Sequence, residues 1–261
     1  MTDAATERPA VRYYEGQGRF RGFTGNGLKL FAMAIMLIDH IAYSWHVDLV
    51  SYDVYYVMRV VGRLAFPIFA YMIAVGARHT HDIRKYLLRL LAFSFISEIL
   101  FDKAFRFAGT GKIVELEHQN VFFTLLLGLL ALAFLQFFQK RLGRFYMIPA
   151  VAVLLLLMLA ADFLSTDYAD VGVLSIFLFY IAADKKPGAR AALFALAIVV
   201  LAFDWQVIVN TIELYALVSL IPILLHNGQR GAKMNKWVFY AFYPGHLTLL
   251  WLVGRFLLHV I

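Results

Sequence analysis

The chain has 261 residues, of which 62% are hydrophobic, 16% aromatic and 16% charged, and its formal net charge is +7. A soluble domain is about 45–50% apolar and about 25% charged, so this composition excludes an ordinary soluble fold. It also excludes a disordered chain. The absence of cysteine excludes a disulfide scaffold. The composition predicts a protein whose solvent is the lipid bilayer.

Polar breaks divide the sequence into nine apolar stretches of about the length that a membrane helix needs. We expect α-helices rather than barrel strands, because the runs are continuous and lack the alternation of a β-barrel. The fold class is therefore all-α, a polytopic integral membrane helical bundle with about nine transmembrane helices. The predicted spans are residues 27–47, 54–77, 85–102, 118–138, 146–164, 168–183, 190–204, 207–226 and 236–260.

Positive charge alternates from one predicted connection to the next. Of the 24 Lys and Arg residues, 17 fall on one side of the predicted membrane, three on the other and four within spans. Cytoplasmic loops carry the excess of Lys and Arg, so we expect the N-terminus inside and the C-terminus outside. Residues 1–23 are then a polar, largely disordered cytoplasmic tail, and residues 24–261 form the membrane domain. Because topology accounts for the basic charge, we expect no nucleic-acid partner.

Polar side chains share one depth in the predicted spans, in the half away from the basic loops. An ionisable group at the bilayer centre costs roughly 2.5–3.5 kcal/mol, so such residues are expected to be paired or functional. Six spans contribute them, which predicts one water-accessible cavity that opens outward. The residues concerned include Asp39, His40, Arg59, Arg63, Glu98, Asp102, His118, Gln119, Asn120, Thr124, Asp167, Tyr168 and Glu213.

The ninth span contains Pro244 and Gly245 directly before His246. Proline removes a backbone donor, so the pair predicts a helix break that faces protein or a polar cavity. At 1.5 Å per residue, His40 and His246 lie about 20 Å and 15 Å from the basic side, both near mid-depth. Two interpretations of the polar residues stay open here: a functional cavity, or a network of neutralising charges that only sets helix registry.

Six strings carry a resemblance to a known family: TGNGLKLFAMAIMLIDHIA at 24–42, RVVGRLAFPIFAYMIAVG at 59–76, KYLLRLLAFSFISEILFD at 85–102, HQNVFFTLLLGLLAL at 118–132, DYADVGVLSIFLFY at 167–180 and FYAFYPGHLTLL at 239–250. In these strings the chain resembles the TraX family of bacterial inner-membrane proteins. The resemblance runs from residue 24 to the end, apart from a variable middle. It implies a multi-pass protein of the bacterial inner membrane, in contact with membrane lipids.

The resemblance also implies an acyltransferase. TraX acetylates the N-terminus of pilin subunits, and related membrane enzymes draw acyl groups from cytoplasmic acyl-coenzyme A. We therefore expect acetyl-CoA as the donor, no metal, and an acceptor amino or hydroxyl group on a pilin-like protein or an envelope molecule. The competing hypothesis is a transporter or flippase, in which the same charges line a permeation path and nothing is covalently changed.

Roles follow for the residues inside the matching strings. His40 is the predicted general base, because an unperturbed imidazole titrates near physiological pH. Asp39 is expected to pair with Arg59 or Arg63, since consecutive helix positions point about 100° apart. The predicted catalytic set is His40, Asp39, His246, Tyr243 and Asn120, the last three as oxyanion contacts or as groups that orient the base.

The predicted substrate-binding set lies around these residues. Glu98 and Asp102 are expected to balance the arginines or to bind the positive charge of an amino acceptor. The full set is Arg59, Arg63, Glu98, Asp102, Gln119, Thr124, Asp167 and Tyr168.

Overall fold

The structure is a computed structural model that describes residues 22–105, 117–204, 208–209 and 211–258. Most of the predicted tail, residues 1–21, lies outside the described residues. The regular secondary structure of the described chain is helical apart from one antiparallel pair of two-residue strands, β1 (Phe203–Asp204) and β2 (Ile208–Val209). The α-helices are α1 (Gly25–Leu49), α2 (Tyr52–Gly62), α3 (Ala65–His79), α4 (Ile83–Phe105), α5 (Val121–Leu142), α6 (Met147–Phe163), α7 (Ala169–Ala182), α8 (Pro187–Val199), α9 (Leu220–Leu224) and α10 (Lys236–Val253).

The predicted spans correspond to nine helical segments of the described chain, which confirms the all-helical class. α2 and α3 together form the second segment, and a 3₁₀ helix at Glu213–Ser219 continues into α9 as the eighth. Among the described residues three helices are long and apolar enough to cross a bilayer, at Gly25–Ser44, Tyr52–His79 and Val121–Phe145. Four more apolar helices are shorter. The number of crossings and their direction stay predictions.

A proline divides the predicted second span into two helices. Pro67 has no amide hydrogen, so the carbonyl of Arg63 loses its helical partner. The amide of Arg63 keeps its helical bond to the Arg59 carbonyl at 3.2 Å and also donates to the Val60 carbonyl at 3.3 Å, in a tightened last turn of α2. The span predicted at 54–77 is therefore formed by two helices joined by a turn at 63–64. This turn lies where the arginines enter the cavity described below.

The predicted break at Pro244 and Gly245 is wrong. α10 runs without interruption from Lys236 to Val253 and contains Pro244 in its interior. The hydroxyl of Thr248 donates to the carbonyl of Pro244, four residues earlier in the same helix, at 2.8 Å. Proline is tolerated in membrane helices when neighbouring helices and local hydroxyl groups support the backbone.

Side chains at the helix starts satisfy amide groups that have no partner within the helix. Thr24 accepts from the Gly27 amide at the start of α1, and Asn235 accepts from the Trp237 amide at the start of α10. Before α4, Asp82 accepts from the Lys85 amide at 3.0 Å. That hydrogen bond lowers the pKa of the Asp82 carboxyl below its ordinary value. The starts of α1, α4 and α10 thus follow from local sequence.

Backbone pairing connects the beginning of α1 to the segment that precedes α10. Phe23 donates to the Leu225 carbonyl and accepts from the Asn227 amide, both at 2.9 Å. The amides of Gly25 and Asn26 also donate to carbonyls of the same segment, at 2.8 and 2.9 Å. α1 and α10 therefore begin at the same end of the bundle and run in the same direction.

α5 packs against α4, α6 and α7, and glycines lie at its contact with α7. Gly128 of α5 faces Ile176 of α7, and Gly172 of α7 faces Thr124 of α5. Small residues of this kind let membrane helices approach closely, because lipid supplies no hydrophobic force between them. The close approach places the turn before α7 against the N-terminal end of α5.

We expect Gly172→Ala to lower the temperature of thermal unfolding in detergent. The added methyl group would lie 2.5 Å from Thr124 Cγ2 and 2.8 Å from Tyr168 Cβ. Overpacking of this kind typically costs about 1–3 kcal/mol. Gly245→Ala is the matched control, because nothing lies within 4 Å of its added methyl group and the gain in helix propensity is the same. Equal unfolding temperatures for the two variants would contradict the close α5–α7 contact.

Candidate active site

A cavity of about 230 Å³ lies at the end of the bundle away from the basic loops. Helices α1 to α5 and the turn before α7 form its wall. Of the predicted site residues, the structure brings six together in this wall: Asp39, His40, Arg59, Arg63, Asp167 and Tyr168. The other lining residues are Met36, Tyr43, Gly62, Ala65, Phe66, Phe69, Phe101, Phe105, His118, Val121 and Leu125.

The two mid-depth histidines form a direct hydrogen bond. His40 Nδ1 and His246 Nε2 are 2.7 Å apart, and the rings are stacked with centroids 4.9 Å apart. His246 Nδ1 lies 2.8 Å from the carbonyl oxygen of Phe242. Tyr243 is buried behind this pair, with its ring centroid 5.9 Å from that of His40 and 5.5 Å from that of His246.

The Phe242 carbonyl determines where the protons of the neutral pair lie. A carbonyl only accepts, so His246 Nδ1 must carry a hydrogen. A neutral His246 then has a lone pair on Nε2, and His40 Nδ1 must donate to it. The remaining nitrogen of His40, Nε2, is left with a lone pair, and the structure gives it no partner among the described residues. His40 is therefore held in the tautomer of a base, in the wall of the cavity.

Asp39 bridges two arginines of α2 and the following turn. Its Oδ2 lies 2.7 Å from Arg59 Nη1, and its Oδ1 lies 3.0 Å from Arg63 Nη2. The expected pairing of Asp39 with the arginines is confirmed. Gly62 makes room for it, because a side chain at residue 62 would overlap the Asp39 carboxylate. The adjacent positions 39 and 40 thus serve different partners, as the geometry of a helix requires.

Glu213 supplies the second negative charge of this network. Its Oε1 lies 2.5 Å from Arg63 Nη1, and the Arg63 and Glu213 side chains are 11% and 8% exposed. The acid that pairs with Arg63 besides Asp39 is therefore Glu213, and the roles expected for Glu98 and Asp102, balancing the arginines or binding the acceptor's positive charge, stay predictions. Sequence reasoning placed Glu213 at the same depth but gave it no role. Nothing in the spacing distinguished it from the acids of α4.

Asn120 and Glu98 bond to each other outside the cavity lining. Glu98 Oε2 accepts one hydrogen bond from the backbone N–H of Asn120 at 3.0 Å and another from the Asn120 side-chain Nδ2 at 2.5 Å. The Asn120 side chain also donates to the Ser94 carbonyl and accepts from the Phe122 amide as the cap of α5. The predicted oxyanion contact of Asn120 would thus require one of these bonds to be exchanged. Asp102 is fully buried on the same helix as Glu98 and does not line the cavity.

Gln119 and Thr124 hold the turn that presents Asp167 and Tyr168 to the cavity. The backbone of Gln119 pairs with Ser165 and Asp167 on either side of an isolated bridge, at 3.0 and 2.9 Å. The Thr124 hydroxyl donates to the Asp167 carbonyl. Neither side chain lines the cavity, so direct contact of Gln119 and Thr124 with substrate remains a prediction.

The turn itself has an uncommon backbone. Ser165, Tyr168 and Ala169 have φ values of 50°, 61° and 35°, in the left-handed region that non-glycine residues rarely adopt. Such residues cost about 1–3 kcal/mol each and persist where the surroundings determine them. The Tyr168 ring stacks on Phe66 with centroids 3.8 Å apart, which anchors the turn to α3.

The mouth of the cavity carries a second acid and a third histidine. His118 Nε2 lies 3.9 Å from Asp167 Oδ1, and the two side chains are 34% and 36% exposed. Phe105 also lines the cavity, and its ring contacts the rings of His40, Tyr43 and Phe101, with centroids 5.0 to 5.1 Å apart. Sequence reasoning missed this aromatic wall, because aromatic residues are too frequent in the chain for these positions to stand out.

Comparison with known proteins gives a family and one curated relative. The family model described as TraX protein matches residues 24–254. A relative from Dichelobacter nodosus, described as probable fimbrial assembly protein FimC, serogroup H1, is 29% identical over 257 residues, which cover 90% of this chain and 97% of the relative. No solved structure matches the chain.

We expect Arg63→Met to destabilise the protein strongly, because it leaves the buried Glu213 carboxylate without its cation. Removing one partner of a buried pair costs about 3–5 kcal/mol. The double variant Arg63→Met, Glu213→Gln should lose less stability than the sum of the single variants, as measured by unfolding in a double-mutant cycle. Arg84→Met, at an exposed arginine of α4, is the control for loss of charge alone. Strictly additive losses would contradict the pairing.

Proposed function

This chain belongs to the TraX family, and we propose that it is a membrane acyltransferase that moves an acetyl group from acetyl-coenzyme A to an acceptor amino or hydroxyl group. The observation that carries the proposal is the hydrogen-bonded chain from His40 through His246 to the Phe242 carbonyl, in the wall of a polar cavity. Such a chain leaves one imidazole nitrogen available as a base, which is what acyl transfer requires.

His40 acts as the general base in this proposal. Its Nε2 takes the proton of the acceptor as the acceptor's nitrogen or oxygen attacks the thioester carbonyl. The imidazolium that forms keeps its Nδ1 hydrogen bond to His246, so the positive charge is stabilised without rearrangement of the pair. When the tetrahedral intermediate collapses, the carbon–sulfur bond breaks and His40 returns the proton to the leaving thiolate. The products are the acetylated acceptor and the free thiol of coenzyme A, and the enzyme is unchanged.

Arg59 supports the same step by stabilising the oxyanion. One of its Nη1 hydrogens is donated to Asp39, and its remaining N–H groups have no partner among the described residues. Its guanidinium lies over the ring of Tyr43, 5.0 Å from the centroid, and lines the cavity. Donors that are already in place when charge develops on a carbonyl oxygen are a major source of catalysis. Arg63, by contrast, is fully engaged with Asp39 and Glu213.

The size of the cavity suits the reacting groups alone. Pockets that enclose a whole drug-sized ligand usually measure about 300–1,000 Å³, and this cavity has about 230 Å³. It accommodates the acetyl thioester and the acceptor's terminal group, while the bulk of both substrates lies elsewhere. We therefore propose that the donor approaches from the basic, cytoplasmic end and the acceptor from the opposite side.

A pilin-like protein is the acceptor that the comparisons favour. The relative's printed description as a fimbrial assembly protein supports it, since that relative is similar over nearly its full length. The proposed location is the bacterial inner membrane, with several crossings, the N-terminus inside and the C-terminus outside. The uneven distribution of Lys and Arg supports this orientation.

The interior of the bundle favours transfer over transport. A permeation path needs polar groups through both halves of the membrane, and among the described residues the cavity wall ends inward at Phe69 and Leu125. The positions of α3 that follow Phe69 include Ala70, Met72 and Ile73, which are buried and apolar. A second cavity further along α3, lined by Tyr71, Arg78 and His226 among others, shares no lining residue with the first, so the two do not form one continuous polar lining in the part of the chain that the structure describes.

We expect His40→Ala to lower the turnover of labelled acetyl-coenzyme A by about 10²–10⁴-fold, the usual contribution of a general base. The assay uses purified protein in lipid nanodiscs with a peptide that reproduces a pilin N-terminus. His246→Ala should lower kcat by a smaller factor and change the pH profile, because His40 then loses the acceptor that determines its tautomer. Tyr243→Phe should keep most activity.

The control for these variants is His226→Ala. It also removes an imidazole bonded to a neighbour, the Tyr71 hydroxyl at 2.9 Å, but outside the cavity. It should leave turnover close to that of the unmodified protein. Full turnover by His40→Ala would refute the assignment of the base, and the absence of any acetyl transfer by the unmodified protein to amine or hydroxyl acceptors would refute the reaction.

A further inference from the structure

The mouth of the cavity holds a histidine and an aspartate that take no part in the steps at His40. His118 and Asp167 line the same cavity as His40, and both side chains are partly exposed. Backbone bonds keep them side by side, because Gln119, which follows His118, pairs with Ser165 and Asp167 at 3.0 and 2.9 Å. The fold therefore holds this pair in place in the wall, where it stays open to the acceptor's side.

The charges of the wall leave an excess negative charge at the mouth. Arg59 and Arg63 are balanced by the two acids of their network. Among the described residues, Asp167 forms no ion pair with a lysine or an arginine, and it contacts His118. Helices α4 and α5 face the cavity with apolar residues alone. The charged and titratable groups of the wall besides the pair are Asp39, His40, Tyr43, Arg59, Arg63 and Tyr168. With its histidines neutral, the cavity therefore suits a cation at Asp167.

The spacing of the pair suits an ammonium group. His118 Nε2 and Asp167 Oδ1 lie 3.9 Å apart, which is too far for a direct hydrogen bond. A carboxylate only accepts hydrogen bonds, and a neutral imidazole with its hydrogen on Nδ1 has a lone pair on Nε2. A tetrahedral ammonium that donates to both at about 2.8 Å would place these acceptors about 4.6 Å apart. The pair therefore receives such a group after a movement of less than about 1 Å.

An amino acceptor must lose two protons when it is acylated. A terminal amine has a pKa of about 7.7–8.0, so at pH 7 most of it is ammonium, which has no lone pair with which to attack. His40 takes the proton that leaves during the attack and returns it to the thiolate. It does not carry away the earlier proton, so a second proton acceptor that is open to water on the acceptor's side completes the reaction.

We propose that His118 is this second base and that Asp167 holds the ammonium in place for it. This inference rests on the proposed function. The ammonium donates one hydrogen bond to Asp167 and one to His118 Nε2. The N–H bond to His118 breaks, and its electron pair stays on the acceptor nitrogen as the lone pair that attacks the thioester. The imidazolium formed beside the Asp167 carboxylate releases its proton to water at the mouth, so the whole reaction releases one proton. A hydroxyl acceptor has no such proton to lose.

The test is the pH dependence of acetyl transfer to an amino-terminated peptide, for the unmodified protein and His118→Gln in nanodiscs. The variant can use only peptide that is already neutral, which is about one seventh of the total at pH 7 and nearly all of it at pH 9 for an amine pKa of about 7.8. Its kcat/KM should therefore lie about sevenfold below that of the unmodified protein at pH 7 and within about twofold of it at pH 9. His40→Ala should stay low at both pH values.

Two further measurements separate binding of the ammonium from its deprotonation. Asp167→Asn should raise KM for the amino peptide at least about tenfold, with a smaller change in kcat, because it removes a charge-assisted contact. Asp170→Asn is the matched control, since Asp170 lies in the first turn of α7 and does not line the cavity. Its amide oxygen can keep the bond to the Val171 amide. An aminooxy peptide, whose terminal nitrogen is neutral at pH 7, should be acylated equally by the unmodified protein and His118→Gln.

The outcomes distinguish the pair from the reaction itself. Unfolding temperatures show that the variants are folded. If His118→Gln loses nothing, or loses the same factor at pH 7 and pH 9 or with both peptides, the second base is refuted, while transfer that depends on His40 survives. A KM that Asp167→Asn leaves unchanged, or that Asp170→Asn raises equally, refutes the ammonium site. If the unmodified protein transfers acetyl to neither peptide, the proposed function is refuted, and the role of the pair with it.

Discussion

The need to neutralise buried charge in a lipid environment is the constraint on which the site depends. Asp39 is shared between Arg59 and Arg63, and Arg63 also bonds Glu213, so two cations and two anions cancel within one network. Four charged groups from three separate segments can stay out of water only in this arrangement. The network draws α1, α2 and the segment before α9 together, and the neighbouring His40 is positioned as a consequence.

The histidine pair depends on a second feature, the parallel course of α1 and α10. These helices are far apart in the sequence, and backbone pairing of residues 23–26 with residues 225–230 aligns their beginnings. From this common starting level, His40 and His246 arrive within hydrogen-bonding distance. The base is thus oriented by another imidazole and a backbone carbonyl, where many hydrolases use a carboxylate. The carboxylate next to His40 in sequence is committed to the arginines instead.

Helix periodicity predicted correctly which side chains of one helix point in different directions. The sequence failed where the same local pattern is compatible with two different structures. The 100° step of a helix correctly separated the partners of Asp39 from those of His40. The two prolines show the limit: Pro67 divides a helix, while Pro244 lies inside one. Both lack the same donor, and what differs is the packing around them. The choice of Glu213 over Glu98 as the partner of Arg63 was equally invisible, because it depends on which helices become neighbours.

Composition and charge distribution alone determined that the chain is helical and suited to a bilayer, since hydrophobic run length and loop charge act through the solvent and need no tertiary contact. The sequence also showed at which depth costly polar groups gather, because depth along a helix is proportional to residue number. Only the tertiary structure decided which of these groups share a cavity and which serve as caps and turn supports, as Asn120 and Thr124 do. That division depends on the rotation of each helix about its own axis and on its neighbours, and interhelical packing alone determines both.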